Sequence, residues 1–413
     1  MKTFDIGIIG AGVAGCFAAL RLAEKYRNLK IVLFELGPPP PNWIRKDPIR
    51  VKRRRRQLEG WFGCFPTGDG RVYPSDINKV SEIADGRRVN GIKKWMDGHL
   101  NEVAQPKLSR QKKPASNAVK TAKEMGFELE THDYYQWYPN AIHELSRNIA
   151  DRIEEAGNVD VMFDCEVFEF LKNSRNFTIH TSDGEFKAKK VILNVGRGSW
   201  RWTNKLFEKL GILRDDRELQ YGFRVEMPAQ YMKEFSKSHC SFTRDDLHIG
   251  PLSWNGSIVQ EDHSDVTIAA FRANEGRWES DKVFFSLLTK KKHDNPREEL
   301  DRISKLAFLL SGDRVGRDRI KSFIRGDCSS QIDKIPEFQW VKKTIIDLEP
   351  LFPQIGRGYL HSPDIRPMMA NINVSSDLET EVNGLFVAGE SANMMGIMAA
   401  GISGGLAAEG AAR

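Results

Sequence analysis

Glycines and carboxylates with a characteristic spacing occur near both ends of this 413-residue chain. Near the start, Gly10, Gly12 and Gly15 follow a short apolar run and precede a stretch with helical periodicity. In a strand–turn–helix unit, the first glycine permits the tight turn and the second lets the backbone approach a phosphate. The third lets the helix pack closely on the strand. The helix N-terminus, which includes Ala14, would then present N–H groups and a positive dipole end to a pyrophosphate.

An acidic residue follows at the distance that such a unit requires. The apolar residues 30–34 predict a second strand, and this strand is followed by Glu35. A carboxylate about 20 residues after the glycines is positioned to accept hydrogen bonds from the hydroxyls of a ribose. The order of strand, glycine turn, helix, second strand and Glu35 therefore predicts a dinucleotide site.

The second glycine-rich segment, residues 384–390, is another apolar strand, and it ends in Gly389 and Glu390. Here the chain resembles the glutathione-reductase-type flavoproteins, in which a late strand ends in Gly-Asp or Gly-Glu. The resemblance implies FAD as the cofactor, with the Glu390 carboxylate on its ribityl chain. It also implies that the N-terminus of the following helix faces the pyrimidine edge of the flavin, where a positive dipole end stabilises the charge that collects on reduction. The residues at this N-terminus are Gly396, Ile397 and Met398.

Segments between these two motifs extend the resemblance. Residues 189–196 resemble the strand that returns under the cofactor and ends in a glycine, here Gly196. Residues 159–167 resemble the strand and turn whose backbone contacts adenine, which implies a contact at Val167. The loop 59–71 resembles that of a group of uncharacterised bacterial FAD-dependent dehydrogenases. Since residues 252–257 lack the cysteine that this group commonly carries, a thiol-based role is not expected.

The motifs predict an α/β fold with two domains. One is a Rossmann-like FAD-binding domain with a three-layer ββα arrangement, and the other is a second, β-rich substrate domain. The expected boundaries are 1–200 for the first part of the FAD-binding domain, 201–365 for the substrate domain and 366–413 for the returning part. An insertion is expected at about 84–140, where basic, polar and aromatic residues mix.

Composition limits the class of protein. No apolar run approaches the roughly 20 residues that span a bilayer, and the N-terminus lacks the pattern of a signal peptide. The five cysteines include no Cys-x-x-Cys pair, so neither a disulfide framework, a redox dithiol nor a zinc site is expected. We therefore expect a cytoplasmic protein with no metal ion.

The formal net charge of +6 has a local origin, because residues 45–56 hold eight basic residues and one acid. Three interpretations stay open: a solvated face, a site for a cofactor phosphate or an anionic substrate, and a surface for nucleic acid. No nucleic-acid-binding motif accompanies the run.

Few residues are candidates for a catalytic role. His248 and His361 are possible bases near a donor carbon, and Arg224 is a candidate to hold a substrate carboxylate. Only one dinucleotide fingerprint is present, since Gly196 is followed by no third glycine and no pattern of a helix start. Electrons would then come from the substrate itself, a transiently bound nicotinamide or a partner protein.

The expected function is therefore that of an FAD-dependent dehydrogenase or oxidase, with hydride transfer from a small anionic substrate to flavin N5. Two alternatives stay open. One is flavin chemistry on a nucleotide or nucleic-acid base, and the other is a flavin electron carrier without turnover.

Overall fold

The computed structural model describes residues 2–39, 55–56, 60–63, 65, 70–214, 218–254, 256–263, 266–273, 281–311, 314–366 and 371–413. The helices are α1 (Val13–Lys25), α2 (Asn78–Ile83), α3 (Gly86–Val103), α4 (Ser116–Glu124), α5 (Pro139–Ala156), α6 (Trp200–Lys209), α7 (Pro296–Ser311), α8 (Ile320–Arg325), α9 (Trp340–Asp347) and α10 (Ile397–Ala412).

The strands before residue 200 are β1 (Lys2–Ile9), β2 (Ile31–Phe34), β3 (Arg55–Arg56), β4 (Arg71–Val72), β5 (Leu108–Ser109), β6 (Glu128–Thr131), β7 (Tyr134–Gln136), β8 (Val159–Met162), β9 (Val167–Lys172), β10 (Phe177–Thr181) and β11 (Gly184–Leu193). The later strands are β12 (Glu218–Pro228), β13 (Cys240–Arg244), β14 (Leu247–Ile249), β15 (Ser253–Trp254), β16 (Gly256–His263), β17 (Val266–Ala273), β18 (Lys282–Lys292), β19 (Gly316–Arg319), β20 (Tyr359–Ile365) and β21 (Leu385–Val387).

A parallel sheet forms the centre of the first lobe. Its strands lie in the order β8-β2-β1-β11, and β21 pairs in parallel with the C-terminal half of β11. The N-terminal half of β11 continues instead into an antiparallel meander with β10 and β9. This meander packs over the sheet, since a Cβ at Gly7 would lie only 2.9 Å from Ile179 Cδ1.

Helices cover the opposite face of the sheet. Helices α1, α5 and α10 pack on its strands, and α3 packs on α5 and α10. Close packing here depends on glycine, because a Cβ at Gly404 of α10 would collide with the main-chain oxygen of Ala14 in α1. The meander, the parallel sheet and the helices make three layers, so the predicted ββα arrangement is confirmed.

The second lobe is built on a larger sheet, with strands in the order β19-β20-β12-β18-β14-β13-β6 and antiparallel pairing throughout. Its core residues lie between Ala118 and Phe127 and between Trp200 and Ile365. The core of the first lobe draws instead on residues from Phe4 to Ile212 and from Leu378 to Ala411. The segment 84–140 therefore contributes to both cores, through α3 to the first and through α4 to the second. The predicted domain boundaries stay a prediction.

Two small sheets complete the fold. In one, β17, β16 and β3 pair in that order, and in the other β4, β7 and β5 do so. The second of these sheets sets Arg71 opposite Gln136 and Val72 opposite Tyr135.

One local expectation from the sequence is wrong. The sequence pattern shows no helix start after Gly196, but a short turn at Arg197–Ser199 leads directly into α6. The helix forms because Trp200, Thr203, Leu206 and Phe207 all become buried on one of its faces. Among the helices that the structure describes, none is long and apolar enough to cross a membrane.

Candidate functional site

The turn between β1 and α1 has the geometry that its three glycines predict. Gly10 has a φ of +92°, a conformation that favours glycine. A Cβ at Gly15 would collide with the main-chain oxygen of Gly10, so this glycine allows the helix to begin directly beside the strand. Gly12 caps the helix without a side-chain hydrogen bond, and the first turn contains no acidic residue. The N-terminus of α1 therefore keeps its positive dipole end uncompensated by local side chains.

Glu35 connects three segments of main chain around this turn. Its Oε2 atom accepts a hydrogen bond from Ala11 N at 2.7 Å, and its Oε1 atom accepts from Gly37 N at 2.8 Å and Gly60 N at 2.9 Å. Only 5% of the residue is exposed. The carboxylate thus holds the glycine turn, the end of β2 and the loop that crosses the turn in one arrangement.

The C-terminal motif lies beside the same turn. Gly389 has a φ of +61°, and its N–H donates to Ser403 Oγ of α10 at 2.9 Å. The Glu390 carboxylate accepts from Arg197 N at 2.7 Å and from Arg197 Nε at 3.2 Å. Gly396, with a φ of +90°, precedes the first residue of α10.

A single cavity of about 550 Å³ connects these elements. It is lined by ten of the twelve residues that the sequence analysis assigns to the cofactor: Gly10, Gly12, Ala14, Glu35, Val167, Gly196, Gly389, Glu390, Gly396 and Ile397. The other two, Gly15 and Met398, lie behind the wall, where both are buried in the helix packing.

The cavity wall also includes Arg71, Tyr73 and Asp76, and we call this polar part the far end. It lies beside the start of α10, through Asp76, and beside Ser253 of the second lobe, through Arg71. Arg71 is 93% buried, and its guanidinium lies 4.9 Å from the ring centre of Tyr134 and 5.3 Å from that of Phe271. Its Nη1 atom donates to Ser253 Oγ at 2.9 Å. A fixed positive charge therefore stands at this wall of the cavity.

Asp76 lies against the N-terminus of α10, since a Cβ at Gly396 would collide with its carboxylate. Burial raises the pKa of Asp76 to about 6, and the negative charge of Glu130 adds to this effect. The carboxyl therefore changes charge within the range in which many enzymes work.

Behind Tyr73 lies a buried histidine that the sequence analysis did not select. The Tyr73 hydroxyl is 2.9 Å from His239 Nε2, and the two rings are stacked with their centres 5.8 Å apart. Burial lowers the pKa of His239 to about 3, and the charge of Arg71 contributes to this shift. The ring is therefore neutral at ordinary pH.

The predicted catalytic residues lie elsewhere in the second lobe and do not line the cavity. His248 is on β14, where burial lowers its pKa to about 4. His361 Nε2 donates to Glu226 Oε2 at 2.7 Å within a buried cluster of charges. Arg224 Nε lies 3.0 Å from Asp364 Oδ2. His361 and Arg224 are thus engaged in contacts within the second lobe.

The Glu226 cluster is an ion-pair network. Burial alone would raise the pKa of Glu226, but hydrogen bonds from His361, Arg317 and Lys282 outweigh burial and hold this pKa well below its ordinary value. The three partners lie within 3.0 Å of the carboxylate.

The residues at the far end gave weak signals in the sequence. Arg71 is the last residue of the loop 59–71, which has a family resemblance. Tyr73, Asp76 and His239 belong to no motif and are spread over about 170 positions of the chain. The aromatic run at 134–138 was the best available signal, because Tyr134 contacts both Tyr73 and His239. Of the basic run 45–56, the described residues include only the backbone of Arg55–Arg56, which pairs with β16. The predicted roles of this run therefore concern residues that lie outside the described part of the chain.

No protein-family model and no curated protein sequence matches this chain. Among solved structures, glycine oxidase from Geobacillus kaustophilus is similar over 100% of this chain and 95% of its own, with 14% identity and a TM-score of 0.43. NikD, an amino acid oxidase of nikkomycin biosynthesis, matches 100% of this chain and 94% of its own, with 13% identity and a TM-score of 0.45. L-proline dehydrogenase from P. horikoshii matches 97% and 91%, with 11% identity and a TM-score of 0.42.

Proposed function

We propose that this protein is an FAD-dependent oxidoreductase that acts on a small anionic substrate. The observation that carries the proposal is the single cavity, which joins the glycine turn, Glu35 and the C-terminal motif to a polar far end that contains Arg71. A dinucleotide would occupy the first part, and a substrate would meet its reactive end at the far end.

The residues of the cavity fit FAD. At Gly12, an added Cβ would meet no atom closer than Asn194 O at 4.0 Å, so the absence of a side chain there leaves room beside the helix N-terminus. This room suits a pyrophosphate, which the N–H groups and dipole of α1 would bind. Asn194 Oδ1 is buried at the same wall with no hydrogen-bond partner among the described residues.

Named residues would then hold each part of the cofactor. Glu35 would accept hydrogen bonds from the adenosine ribose, and the backbone at Val167 would contact adenine. Glu390, held by Arg197, would face the ribityl chain, and the N-terminus of α10 would face the flavin ring. Bound FAD would supply the two-electron oxidation that no side chain of this protein can perform.

The order of elements supports the finer assignment to the glutathione-reductase type. The glycine turn, the meander β9–β11 and the C-terminal pair of β21 and α10 follow one another as in that type. Cys16, Cys165, Cys240 and Cys328 are all buried free thiols, which favours a reducing compartment such as the cytoplasm.

Arg71 favours an anionic substrate. A buried guanidinium whose aromatic and hydroxyl contacts fix its orientation is suited to a carboxylate or a phosphate. This residue takes the place that the sequence analysis gave to Arg224, which is engaged with Asp364 outside the cavity.

The test is the visible spectrum of the purified protein and of a Gly12→Val variant. The wild type should bind FAD with absorption near about 450 nm, and anaerobic addition of an amine, a hydroxy acid, NADH or NADPH should bleach this band. Gly12 has a φ of −64°, which any residue can adopt, so the variant should fold but lose FAD binding at least about 100-fold.

Gly91→Val is the matched control, because a Cβ at Gly91 of α3 meets no atom within 4 Å and the site lies outside the cavity. It should bind FAD like the wild type. Failure of the wild type to bind FAD would contradict the proposal. Binding without bleaching by any compound would favour the electron carrier.

A further inference from the structure

The tautomer of His239 is determined by its two hydrogen bonds. Its Nδ1 atom lies 2.7 Å from the main-chain oxygen of Leu252. A carbonyl oxygen only accepts hydrogen bonds, so Nδ1 carries the proton of the neutral ring. Nε2 is then an acceptor, and the Tyr73 hydroxyl donates to it across 2.9 Å.

Only one member of this pair can meet a molecule in the cavity. Tyr73 lines the cavity wall, whereas His239 is 98% buried behind it. A proton could therefore reach His239 through the Tyr73 hydroxyl and not directly from the cavity.

Arg71 and His239 are fixed to neighbouring points of the second lobe. His239 donates to the oxygen of Leu252, and Arg71 donates to the hydroxyl of Ser253, the next residue. This arrangement sets a positive charge and a neutral proton acceptor side by side at the far end.

Other titratable groups also lie near His239. The ring of His132 is 6.0 Å away, bonded through Nε2 to Ser241 Oγ, and Glu130 lies beside His132. Tyr134 packs edge-on to His239 with ring centres 5.2 Å apart. Of these neighbours, Arg71 acts most strongly by charge on the pKa of His239.

We propose that Tyr73 and His239 form a proton relay, which takes a proton from the reacting hydroxyl or ammonium group of a substrate whose anionic group is bound by Arg71. This inference rests on the proposed function and deepens it.

The proton step balances by itself. The O–H or N–H bond of the substrate breaks and a new O–H bond forms on Tyr73, while the original Tyr73 proton moves to His239 Nε2. His239 becomes a cation, the substrate group loses one positive charge unit, and no electron leaves the substrate in this step. The resulting alkoxide or free amine is the form that gives up a hydride readily.

A bound anion favours this step. Burial is the main cause of the lowered pKa of His239, and the charge of Arg71 lowers this pKa further. A carboxylate on Arg71 offsets the second contribution and so raises the pKa of His239. A neutral analogue does not have this effect.

Nitrogen-15 NMR of labelled histidine in the FAD-loaded protein tests the relay without turnover, with sulfate as a probe that stays anionic at low pH. The His239 signals are those missing from His239→Gln among the nine histidines. We expect protonated Nδ1 and acceptor-type Nε2, and a titration midpoint that rises when sulfate is added. In Arg71→Gln the midpoint should be higher than in the wild type and should not respond to sulfate, although burial still holds it below the ordinary value for histidine.

Tyr73→Phe should shift the Nε2 resonance, because it removes the donor and keeps the ring. Tyr135→Phe is the control. Tyr134 on β7 contacts His239, and the next residue, Tyr135, points to the opposite face of the strand. Tyr135 is also absent from the cavity wall. A protonated Nε2 in the neutral ring, or a midpoint that is the same with and without sulfate, would overturn the relay.

Flavin bleaching by the fastest compound of the panel adds a kinetic test. Tyr73→Phe should slow bleaching about 10²- to 10⁴-fold at saturating donor, and Tyr135→Phe should match the wild type. An unchanged rate in Tyr73→Phe would refute the relay and leave the proposed function standing. Loss of FAD binding in the wild type would instead refute the proposed function, while NMR would still report on Tyr73 and His239.

Discussion

The two ends of the cavity are built from different parts of the polypeptide. The end at Gly12 and Glu35 consists mainly of main chain, and a single buried carboxylate accepts three backbone N–H groups there. The far end consists of side chains: Arg71 lies over the ring of Tyr134, Tyr73 bonds to His239, and the charge of Arg71 acts on the pKa of His239.

This difference separates binding from chemistry. Main-chain groups are fixed by the fold, so the first end can hold a cofactor with the same geometry whatever the substrate is. Side chains at the far end can be exchanged without altering the fold, and it is to this end that we assign substrate recognition and proton transfer. We therefore expect substitutions at the first end to affect mainly stability and cofactor binding, and substitutions at the far end to affect mainly the reaction.

The largest effect on stability is expected for Glu35→Ala. It leaves the N–H groups of Ala11, Gly37 and Gly60 without their acceptor in a buried site, at a cost of about 3 kcal/mol or more in the free energy of unfolding. Tyr73→Phe, which removes one hydrogen bond at the far end, should cost about 1 kcal/mol or less. Urea denaturation of both variants checks the difference, and equal losses would abolish the distinction between the ends.

Gly404→Ala should destabilise the first lobe by about 2–3 kcal/mol, because the new Cβ collides with the main chain of α1 and pushes α10 away. FAD binding should weaken as well, since both helices point their N-termini at the cavity. Gly98→Ala is the control: nothing lies within 4 Å of its Cβ, and alanine favours the helix. A Gly404→Ala variant as stable as Gly98→Ala would show that the helix contact is not tight.

His361→Gln sharpens the contrast between the far end and the second lobe. The variant loses a hydrogen bond to buried Glu226, so we expect a loss of about 1–2 kcal/mol in stability. The rate of flavin bleaching should stay the same, because His361 lies outside the cavity wall. A slowed rate with unchanged stability would return His361 to the catalytic candidates.

The smallest effect is expected for Asp76→Asn, and it depends on pH. With a pKa raised from 3.8 to about 6, the folded state binds the Asp76 proton more tightly than the unfolded state does. The free energy of unfolding therefore falls as pH rises through this window, and the penalty is complete above it. The variant should gain about 1 kcal/mol at high pH, after allowance for screening of a partly exposed carboxyl, and nothing at low pH. Urea denaturation at about pH 4 and pH 8 measures this, and an equal gain at both values would exclude the titration.

Much of the first end could be predicted from the chain. Gly10, Gly12 and Glu35 act through local geometry over a single strand–helix–strand unit, so their spacing carries the information. The C-terminal motif at Gly389 and Glu390 was recognised through its resemblance to the late strand of glutathione-reductase-type flavoproteins. The residue that holds Glu390, Arg197, was not recognised. Its backbone and side-chain bonds to Glu390 exist only because β11 and β21 are neighbours in the sheet.

The far end could not be predicted. The sequence analysis chose His248 and His361 by residue type and by their place in the expected substrate domain, and neither residue lines the cavity. His239 follows a turn and has no motif, but it meets Tyr73 because β13 and the loop after β4 come together between the lobes.

The sequence by itself therefore determined the glycine turn and its acidic partner, since these depend on the geometry of one strand–helix–strand unit, and its resemblance to a known family indicated the strand that carries Glu390. Only the tertiary structure decided which histidine stands behind Tyr73 and which arginine stands at the far end. Those contacts join residues up to 182 positions apart, and side-chain chemistry at such separation leaves no periodic trace in the chain.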